Sequence, residues 1–322
     1  MHPEARIYVA GHTGLAGSAL VRALEGKGCR NLILRRHAEL ELRDGPAVRE
    51  FFELERPEYV FLAAARVGGI LANNTYPADF IVDNLAVQLN VLQAAQRSGV
   101  NRLLFLGSSC IYPRDCPQPM REEYLRTGPL EATNRPYALA KIAGIETCWA
   151  YNRQYRARFL AAMPTNLYGP GDNYDLQASH VLPALVRKIH EAKARGDGKV
   201  VLWGSGRPRR EFLHSDDMAE ACVFLMSLPD PAFDRLVAPE AAPMVNVGAG
   251  VDLSIAELAA LIAEVLEYRG AFEYDASKPD GTPRKLLDVS RLDALGWKAR
   301  IALREGIALA YRDFLSRLPG ST

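Results

Sequence analysis

Residues 6–17 read Arg6-Ile7-Tyr8-Val9-Ala10-Gly11-His12-Thr13-Gly14-Leu15-Ala16-Gly17, a short β-prone run that leads into three evenly spaced glycines. The amphipathic run that continues to Gly26 predicts a helix directly after them. Strand, glycine turn and helix form the context in which backbone N–H groups and a helix N-terminus bind a pyrophosphate. Taken alone, the motif is also compatible with a glycine turn that binds nothing.

A second polar segment follows a buried strand near the middle of the chain. The apolar residues 103–106 predict that strand, and Gly107-Ser108-Ser109-Cys110 continues from its end. Residues at strand ends of an α/β sheet face the ligand crevice. We therefore expect the hydroxyls of Ser108 and Ser109 to meet a substrate there.

The pair Tyr137 and Lys141 lies downstream in a helix-forming run. Residues four apart share one helix face, so both side chains can address one point in space. An ammonium beside a phenol favours the phenolate and makes the tyrosine a better proton donor or acceptor. With a serine to hold a carbonyl or alcohol oxygen, the combination indicates carbonyl–alcohol redox chemistry in which a cofactor supplies hydride. Alone, Tyr-x-x-x-Lys is common on exposed helices.

Composition excludes several classes of protein. The 322 residues are 48% hydrophobic and 24% charged, with a net charge of +1, which gives no reason to expect a nucleic acid or an acidic membrane surface as partner. No apolar run approaches the roughly 20 residues of a membrane helix, and no signal-peptide pattern is present, so we expect a cytoplasmic protein. The five scattered cysteines argue against a disulfide framework, and no metal-ligand pattern accompanies them.

The second predicted strand ends in Arg35-Arg36-His37, without a carboxylate. Folds of this kind that prefer NAD usually place an acidic residue there, whereas arginine accommodates a 2′-phosphate. The pattern favours NADP, and the alternative is a solvated strand end.

Strand and helix patterns alternate up to about residue 170, which predicts a doubly wound parallel α/β sheet of the Rossmann type. We expect residues 1–170 to form an NADP-binding domain to which residues 211–248 return. Residues 171–210 and 249–322 would then form a smaller mixed α/β substrate domain. The long loop at 112–136 is typical of a substrate loop. A long helix predicted over 79–98 has more than one apolar face, so it either is buried within one chain or also covers a second subunit.

The three glycines, Ser108, Tyr137 and Lys141 together resemble the extended short-chain dehydrogenase/reductases that act on nucleotide sugars. Within them, the chain is similar to the GDP-4-keto-6-deoxy-D-mannose epimerase/reductases over nearly its whole length. This resemblance implies an NADPH-dependent homodimer that makes GDP-L-fucose by two epimerisations and one reduction. The segments that carry it are Gly-Ser-Ser-Cys-Ile-Tyr-Pro at 107–113, Asn-Leu-Tyr-Gly-Pro at 166–170, Ser-His-Val-Leu-Pro-Ala-Leu at 179–185, Trp-Gly-Ser-Gly at 203–206, Arg-Glu-Phe-Leu-His at 210–214 and Lys-Pro-Asp-Gly-Thr-Pro-Arg-Lys at 278–285.

The resemblance also implies roles for two residues that redox chemistry alone leaves without a function. The carbons beside the 4-keto group are acidic, because the carbonyl stabilises an enolate, and inverting them needs a base on one face and an acid on the other. Cys110 matches the family's base, for which nearby cations would lower the thiol pKa. His180 matches its acid, whereas by itself it would be interpreted as a helix-start histidine. Tyr137 would protonate the 4-oxygen.

We predict the binding residues from the strand ends and from the resemblance together. Three separate segments would bring cations to the pyrophosphate of a GDP-sugar. Some family members carry arginine where this chain has Thr13 and His37, which leaves Arg35 and Arg36 to contact the 2′-phosphate. For the cofactor, the predicted residues are Gly11, His12, Thr13, Gly14, Leu15, Ala16, Gly17, Arg35, Arg36, Leu42, Ala63, Ala64, Leu106, Gly107, Ser108, Lys141, Pro164, Asn166, Leu167 and His180. For the substrate, they are Ser109, Cys110, Asn166, Lys188, Trp203, Arg210, Asp280 and Lys285.

Two other functions stay open at this point. A nucleotide-sugar 4-epimerase or 4,6-dehydratase would share the fold, but a dehydratase would typically need acidic residues where this chain has Ser109-Cys110-Ile111. A non-catalytic NADP-binding regulator would keep the fold without needing Ser108, Tyr137 and Lys141. NADPH consumption with the keto sugar nucleotide would separate the three.

Overall fold

Strands and helices alternate through the first half of the chain, as the sequence predicts. A computed structural model describes residues 1–176, 179–278 and 280–318. Pro279, in one of the segments that carry the resemblance, lies outside the described residues. The strands are β1 (Ile7–Ala10), β2 (Leu32–Ile33), β3 (Tyr59–Leu62), β4 (Arg102–Leu106), β5 (Phe159–Pro164), β6 (Asn166–Tyr168), β7 (Lys199–Trp203), β8 (Arg209–His214), β9 (Met244–Val247), β10 (Asp252–Ser254), β11 (Ala271–Asp275) and β12 (Arg284–Lys285). The helices are α1 (Leu15–Gly26), α2 (Gly45–Glu55), α3 (Ile70–Thr75), α4 (Pro77–Arg97), α5 (Arg135–Tyr155), α6 (Val181–Arg195), α7 (Ser215–Met226), α8 (Asp230–Leu236), α9 (Ile255–Leu266), α10 (Ser290–Ala294) and α11 (Leu303–Ser316).

The main sheet is parallel throughout, with strand order β2-β1-β3-β4-β5-β9. Its register places Val9 opposite Phe61 and Leu104 opposite Leu160. The predicted doubly wound fold is confirmed. The direction in which successive strands are added reverses between β1 and β3, and in open α/β sheets ligands bind at that point, beyond the carboxyl ends of the strands.

Helices cover both faces of this sheet, so its strands are apolar on both sides. On one face α1 and α7 pack against it through residues such as Leu20 and Met218. On the other face α2, α4 and α5 contribute Phe52, Leu92 and Ile145. Full burial of such side chains stabilises the fold by about 1.5–3 kcal/mol each.

A second sheet holds β10, β8 and β12 in that order, and β6 pairs with the C-terminal half of β8, residues 212–214. We expected the chain to return to the main sheet at Glu211, and this is wrong, since β8 belongs to the second sheet. A strand that starts with two arginines does not fit a sheet covered by helices on both faces. The chain returns to the main sheet and its covering helices with α7, which packs on α1, and with β9, which pairs with β5. The domain boundaries themselves stay a prediction.

A third apolar cluster lies under the parallel pair β7 and β11 and is shared by α6, α9 and α11. Strand β7 alternates, with Val200 and Leu202 buried and Trp203 exposed. Helix α9 begins with a capping box, in which Ser254 Oγ accepts from the Glu257 amide while the Glu257 carboxylate accepts from the Ser254 amide.

Helices α4 and α5 pack side by side and leave apolar side chains in solvent. Val82, Leu89 and Leu139 are 61%, 46% and 44% exposed. Within the described ranges, no helix combines the length and apolarity needed to cross a bilayer.

Candidate active site and cofactor cleft

The glycine spacing in the first turn has a steric cause. Gly11 has a φ of +83°, and a Cβ there would lie 2.7 Å from the Cα of Ala64, just beyond β3. A Cβ on Gly17 would overlap the carbonyl oxygen of Gly11. The turn between β1 and α1 therefore closes tightly against Ala63 and Ala64, two of the residues predicted to contact the cofactor.

The residues of this turn fit a dinucleotide. Gly14 is the N-cap of α1, which no side chain caps, so the amides of Leu15 and Ala16 in the first helical turn are available to an anion. Nδ1 of His12 is buried and has no hydrogen-bond partner in the described structure. Thr13 is exposed beside it.

The two arginines after β2 have different surroundings. The guanidinium of Arg35 forms an ion pair with Glu55 and lies 5.7 Å from the centroid of the Phe51 ring. Arg36 is exposed, and its guanidinium has no ion-pair partner among the described residues. His37 forms a 3.0 Å pair with Glu41. The arginine that is free to contact a 2′-phosphate is thus Arg36.

The polar segment after β4 is bent by a 3₁₀ turn over Ser109–Ile111. Ser108 is its N-cap, with Oγ accepting from the Cys110 amide at 3.3 Å. Gly107 precedes it, where a Cβ would overlap the Met163 side chain. The turn places Ser108 and Cys110 in partly accessible positions at the strand end.

Tyr137 and Lys141 lie buried in the first two turns of α5. The Tyr137 hydroxyl is hydrogen-bonded by Ser108. The Lys141 ammonium donates to the Leu106 carbonyl at 2.8 Å and lies 4.7 Å from the centroid of the Phe105 ring. As predicted, the side chains of Tyr137 and Lys141 meet the end of β4, where Ser108 lies.

The pKa expectation for this pair is wrong. Burial, followed by the charge of Cys110, raises the pKa of Tyr137, and the hydrogen bond from Ser108 lowers it only in part. Burial lowers the pKa of Lys141 to about 7. Desolvation opposes both charged forms, so the phenol stays protonated at neutral pH, as a proton donor requires.

His180 is the N-cap residue of α6, and its imidazole caps no amide there. Surrounding protein displaces water from His180 and, together with the charge of Lys285, lowers the pKa of the imidazole. The ring nonetheless remains accessible.

Gly171 and Tyr174, which precede His180 in the chain, are hydrogen-bonded to helix α11. The amide of Gly171 donates to Asp313 at 3.1 Å, and the Tyr174 hydroxyl donates to the Ala310 carbonyl at 2.8 Å. Both acceptors belong to α11. The position of this segment therefore depends on a helix far along the chain.

The predicted substrate cations form two groups. Lys285 on β12 pairs directly with Arg210 on β8, so two cations stand side by side. Burial lowers the pKa of Arg210, and Asp280 partly opposes this. Lys188, on α6, lies 4.9 Å from the centroid of the exposed Trp203 ring.

Asp280 braces the turn after Trp203. Its carboxylate accepts from the Ser205 amide at 2.6 Å and from the Ser205 hydroxyl at 2.8 Å. Gly204 has a φ of +76°, and a Cβ there would overlap the carboxylate. The structure thus shows Asp280 supporting the loop beside Trp203.

The remaining predicted residues have different positions relative to the strands. Pro164 closes β5, and Asn166 and Leu167 belong to β6. The Asn166 carboxamide donates to the Glu211 carbonyl at 2.7 Å. Leu42 lies beyond β2, where its carbonyl accepts from the Asn90 side chain at 2.9 Å.

Sequence reasoning missed several residues of the cleft. A narrow cleft brings Ser109, Cys110 and Lys285 together. The length of the 112–136 loop indicated a substrate loop, but no spacing singled out its individual members. The additional polar residues that line this cleft are Arg114, Gln118, Glu131, Thr282 and Arg284.

Comparison with known proteins places this cleft in context. The model of the NAD dependent epimerase/dehydratase family matches residues 7–238. The GDP-L-fucose synthase of Escherichia coli (strain K12) is 54% identical over 310 residues, which are 96% of this chain and 96% of that protein. GDP-L-fucose synthase 1 of Arabidopsis thaliana is 54% identical over 98% of this chain and 94% of that protein. A solved GDP-L-fucose synthetase from Naegleria fowleri bound to NADP has a TM-score of 0.86 at 26% identity, covering 100% of this chain and 98% of that one.

Proposed function

The chain belongs to the NAD dependent epimerase/dehydratase family, and on that premise we propose that it converts GDP-4-keto-6-deoxy-D-mannose to GDP-L-fucose. It acts as a 3,5-epimerase and an NADPH-dependent 4-reductase. The observation that carries the proposal is that one strand end presents Ser108 to the Tyr137 hydroxyl and places Cys110 close enough for its charge to act on the same phenol. Relatives 54% identical over nearly the whole chain are GDP-L-fucose synthases.

NADPH, when bound, supplies the hydride for reduction of the 4-keto group. The turn at 11–17 would hold its pyrophosphate, and Arg36 its 2′-phosphate. The small residues Ala63 and Ala64 let a ligand approach the backbone at the end of β3.

The GDP-sugar would be held mainly by residues of the predicted substrate domain and of β8. Lys285 and Arg210 stand side by side, as two phosphates of a diphosphate require. Trp203 offers an exposed aromatic face to the base, flanked by Lys188. Asn166, the first residue of β6, and Ser109, beyond β4, would contact the sugar.

Epimerisation uses the two faces of the sugar ring. The thiolate of Cys110 takes a proton from one carbon beside the keto group and, after Cys110 has lost this proton to solvent and His180 has regained one, takes a proton from the other carbon. The negative charge that develops passes to the 4-oxygen, where the hydroxyls of Ser108 and Tyr137 donate hydrogen bonds. His180 returns a proton on the opposite face, and its lowered pKa makes the imidazolium a stronger acid.

Reduction uses the same hydroxyls. Tyr137 gives its proton to the 4-oxygen as the carbonyl is reduced, and Ser108 keeps that oxygen in place. Lys141 supports the tyrosine from the next turn of α5.

The experiment incubates the purified protein with NADPH and GDP-4-keto-6-deoxy-D-mannose. NADPH oxidation is followed by absorbance, and the configuration of the product is determined by NMR. We expect GDP-L-fucose. A reduced sugar with unchanged C3 and C5 would limit the protein to 4-reduction, and an absence of NADPH oxidation would overturn the proposal.

We also propose a homodimer in the cytoplasm. The apolar side chains exposed on α4 and α5 support the dimer, because Val82, Leu89 and Leu139 would be buried if two such helix pairs packed together. The cysteines, which are all free, are compatible with a reducing compartment. Light scattering during gel filtration tests the dimer, and Leu89→Glu should convert it to a monomer.

A further inference from the structure

A carboxylate without a cationic partner lies at the centre of the second sheet. Glu211 on β8 is 0% exposed. Its Oε1 accepts from the amides of Ala249 and Gly250 at 2.6 and 2.7 Å, and its Oε2 accepts from the Leu287 amide at 2.9 Å. Within the described ranges it forms no ion pair. A buried carboxylate satisfied mainly by backbone donors, with a contribution from the Thr165 side chain, depends on those donors, and they in turn are fixed by it.

The turn between β9 and β10 is built around this carboxylate. A Cβ on Gly248 would overlap Glu211 Oε1, so only glycine lets the turn approach. Gly250 has a φ of +72° and directs its amide at the same oxygen. The main sheet, which ends with β9, is thereby connected to the second sheet.

The third amide belongs to the segment that carries a substrate cation. Leu287 follows β12, a strand of only two residues that pairs Lys285 with Arg210. Two adjacent cations repel each other, and so short a strand has few hydrogen bonds of its own to resist separation. The bond from Leu287 to Glu211, the 2.9 Å bond from the Leu286 amide to the Gln118 side chain, and a backbone bridge to Met120 hold it in place.

We infer that Glu211 is a positioning residue for diphosphate recognition: its carboxylate fixes β12 against β8, so that Lys285 and Arg210 present adjacent cations to a nucleoside diphosphate. This inference rests on the proposed function. The Glu211 carboxylate is not among the groups assigned above to the reacting atoms or the cofactor. Its backbone carbonyl, which holds Asn166, is unchanged by substitution of the side chain, so NADPH binding should be preserved.

The test uses Glu211→Gln, which keeps the size but replaces one acceptor oxygen by an NH₂ group that faces N–H donors. GDP is the probe. We expect calorimetry to show GDP binding weakened about tenfold, the loss of one charge-assisted contact. NADPH affinity, followed by fluorescence, should stay within about twofold.

Asp217→Asn is the matched control. Asp217 is also buried, and its Oδ2 also accepts two backbone amides, those of Arg300 and Ile301 at 3.0 and 2.8 Å. It lies on α7, away from the cations. We expect this variant to lose thermal stability like Glu211→Gln but to bind GDP as the parent does. Equal loss of GDP affinity in both variants would assign Glu211 to general stability and overturn the inference.

A double-mutant cycle tests whether Glu211 acts through Lys285. Once Lys285→Ala has removed the cation, adding Glu211→Gln should weaken GDP binding by less than about threefold. An additive, further tenfold loss would overturn the inference. If Glu211→Gln fails to fold, Gly248→Ala provides the test, because its methyl group displaces the carboxylate while the charge remains, and GDP binding at parental strength in that variant would overturn the inference.

GDP binding by the parent and by the variants separates failure of the proposed function from failure of this inference. A parent that does not bind GDP would overturn the proposed function and this inference with it. A parent that binds GDP, with Lys285→Ala impaired and Glu211→Gln unimpaired, would overturn this inference alone.

Discussion

The Lys141 ammonium nitrogen lies 5.8 Å from the centroid of the Tyr137 ring and donates its hydrogen bond to the carbonyl of Leu106, on β4. The lysine thus connects the helix that carries the proton donor to the strand that carries Ser108. It does so at the cost of burying an ionisable group, which has a consequence for stability.

The pKa of Lys141 is about 7 in the folded chain, below the ordinary value of 10.5. Below pH 7 both the folded and the unfolded chain carry the proton, and folding bears the full cost of burying the charge. Between about pH 7 and 10.5 only the unfolded chain stays protonated, so the free energy of unfolding rises with pH. Relative to Lys141→Met, the parent should gain on the order of a few kcal/mol across this range. Urea unfolding of both proteins measures it, and parallel pH profiles would contradict the assignment.

The proton donor is tested with Tyr137→Phe. The substitution removes one hydroxyl from a buried ring, so NADPH should still bind while reduction slows by about two or more orders of magnitude. Single-turnover NADPH oxidation measures this rate. Tyr151→Phe, on the same helix α5 but outside the site, is the control and should reduce at the parental rate. Reduction by Tyr137→Phe at that rate would remove the tyrosine from the mechanism.

The base is tested with Cys110→Ser. A hydroxyl barely deprotonates at neutral pH, so proton abstraction should collapse although Ser108, Tyr137 and Lys141 remain. In heavy water with substrate and NADPH, deuterium exchange at C3 and C5 should fall strongly, and any slow reduction should give an unepimerised sugar. Cys29→Ser, near the end of α1, controls for loss of a thiol. Parental exchange in Cys110→Ser would mean that another group is the base.

Cofactor preference separates the two arginines after β2. Because Glu55 pairs with Arg35, we expect Arg36→Ala to weaken NADPH binding about tenfold and to leave NADH binding unchanged. Arg35→Ala should change the ratio of NADPH to NADH affinity much less. Titrations of both cofactors decide this. The reverse ranking would place the 2′-phosphate on Arg35.

Two glycines of one helix should respond oppositely to alanine. A methyl group on Gly17 meets the Gly11 carbonyl, whereas one on Gly26 meets nothing within 4 Å. Gly17→Ala should therefore lower the free energy of unfolding by about 1–3 kcal/mol and weaken NADPH binding. Gly26→Ala should raise stability by about 0.5–1 kcal/mol. Denaturant unfolding measures both, and an unaffected Gly17→Ala would contradict the tight closure of the turn.

Local spacing made much of the fold and site predictable. Helical periodicity puts Tyr137 and Lys141 on one face of a helix. Three glycines spaced three residues apart indicate the tight turn that packs against the end of β3. Ser108 and Cys110 were predictable because they follow a strand, and ligands bind beyond the carboxyl ends of the strands of a parallel sheet. The roles of Cys110 and His180 came instead from resemblance, since neither has a spacing that identifies it.

Contacts between distant segments were not predictable. Glu55 lies 20 residues beyond Arg35, and nothing in the sequence indicates their ion pair. The bond between Glu211 and Leu287 spans 76 residues. Strand β8 was assigned to the wrong sheet because its apolar residues 212–213 resemble those of a buried strand, whereas its partners β6, β10 and β12 are too short to be recognised. The lowered pKa of Lys141 depends on burial that only the packed structure contains.

The fastening of Gly171 and Tyr174 to α11 has a consequence for the order of events during synthesis. A ribosome adds roughly 5–20 residues per second, so His180 emerges several seconds before the helix that holds its segment. The first five strands of the main sheet and the turn at 11–17 are complete by then. A nascent chain therefore already contains its cofactor turn while the acid for epimerisation still lacks its support, so the cofactor side of the site is synthesised before the residues that hold the sugar nucleotide.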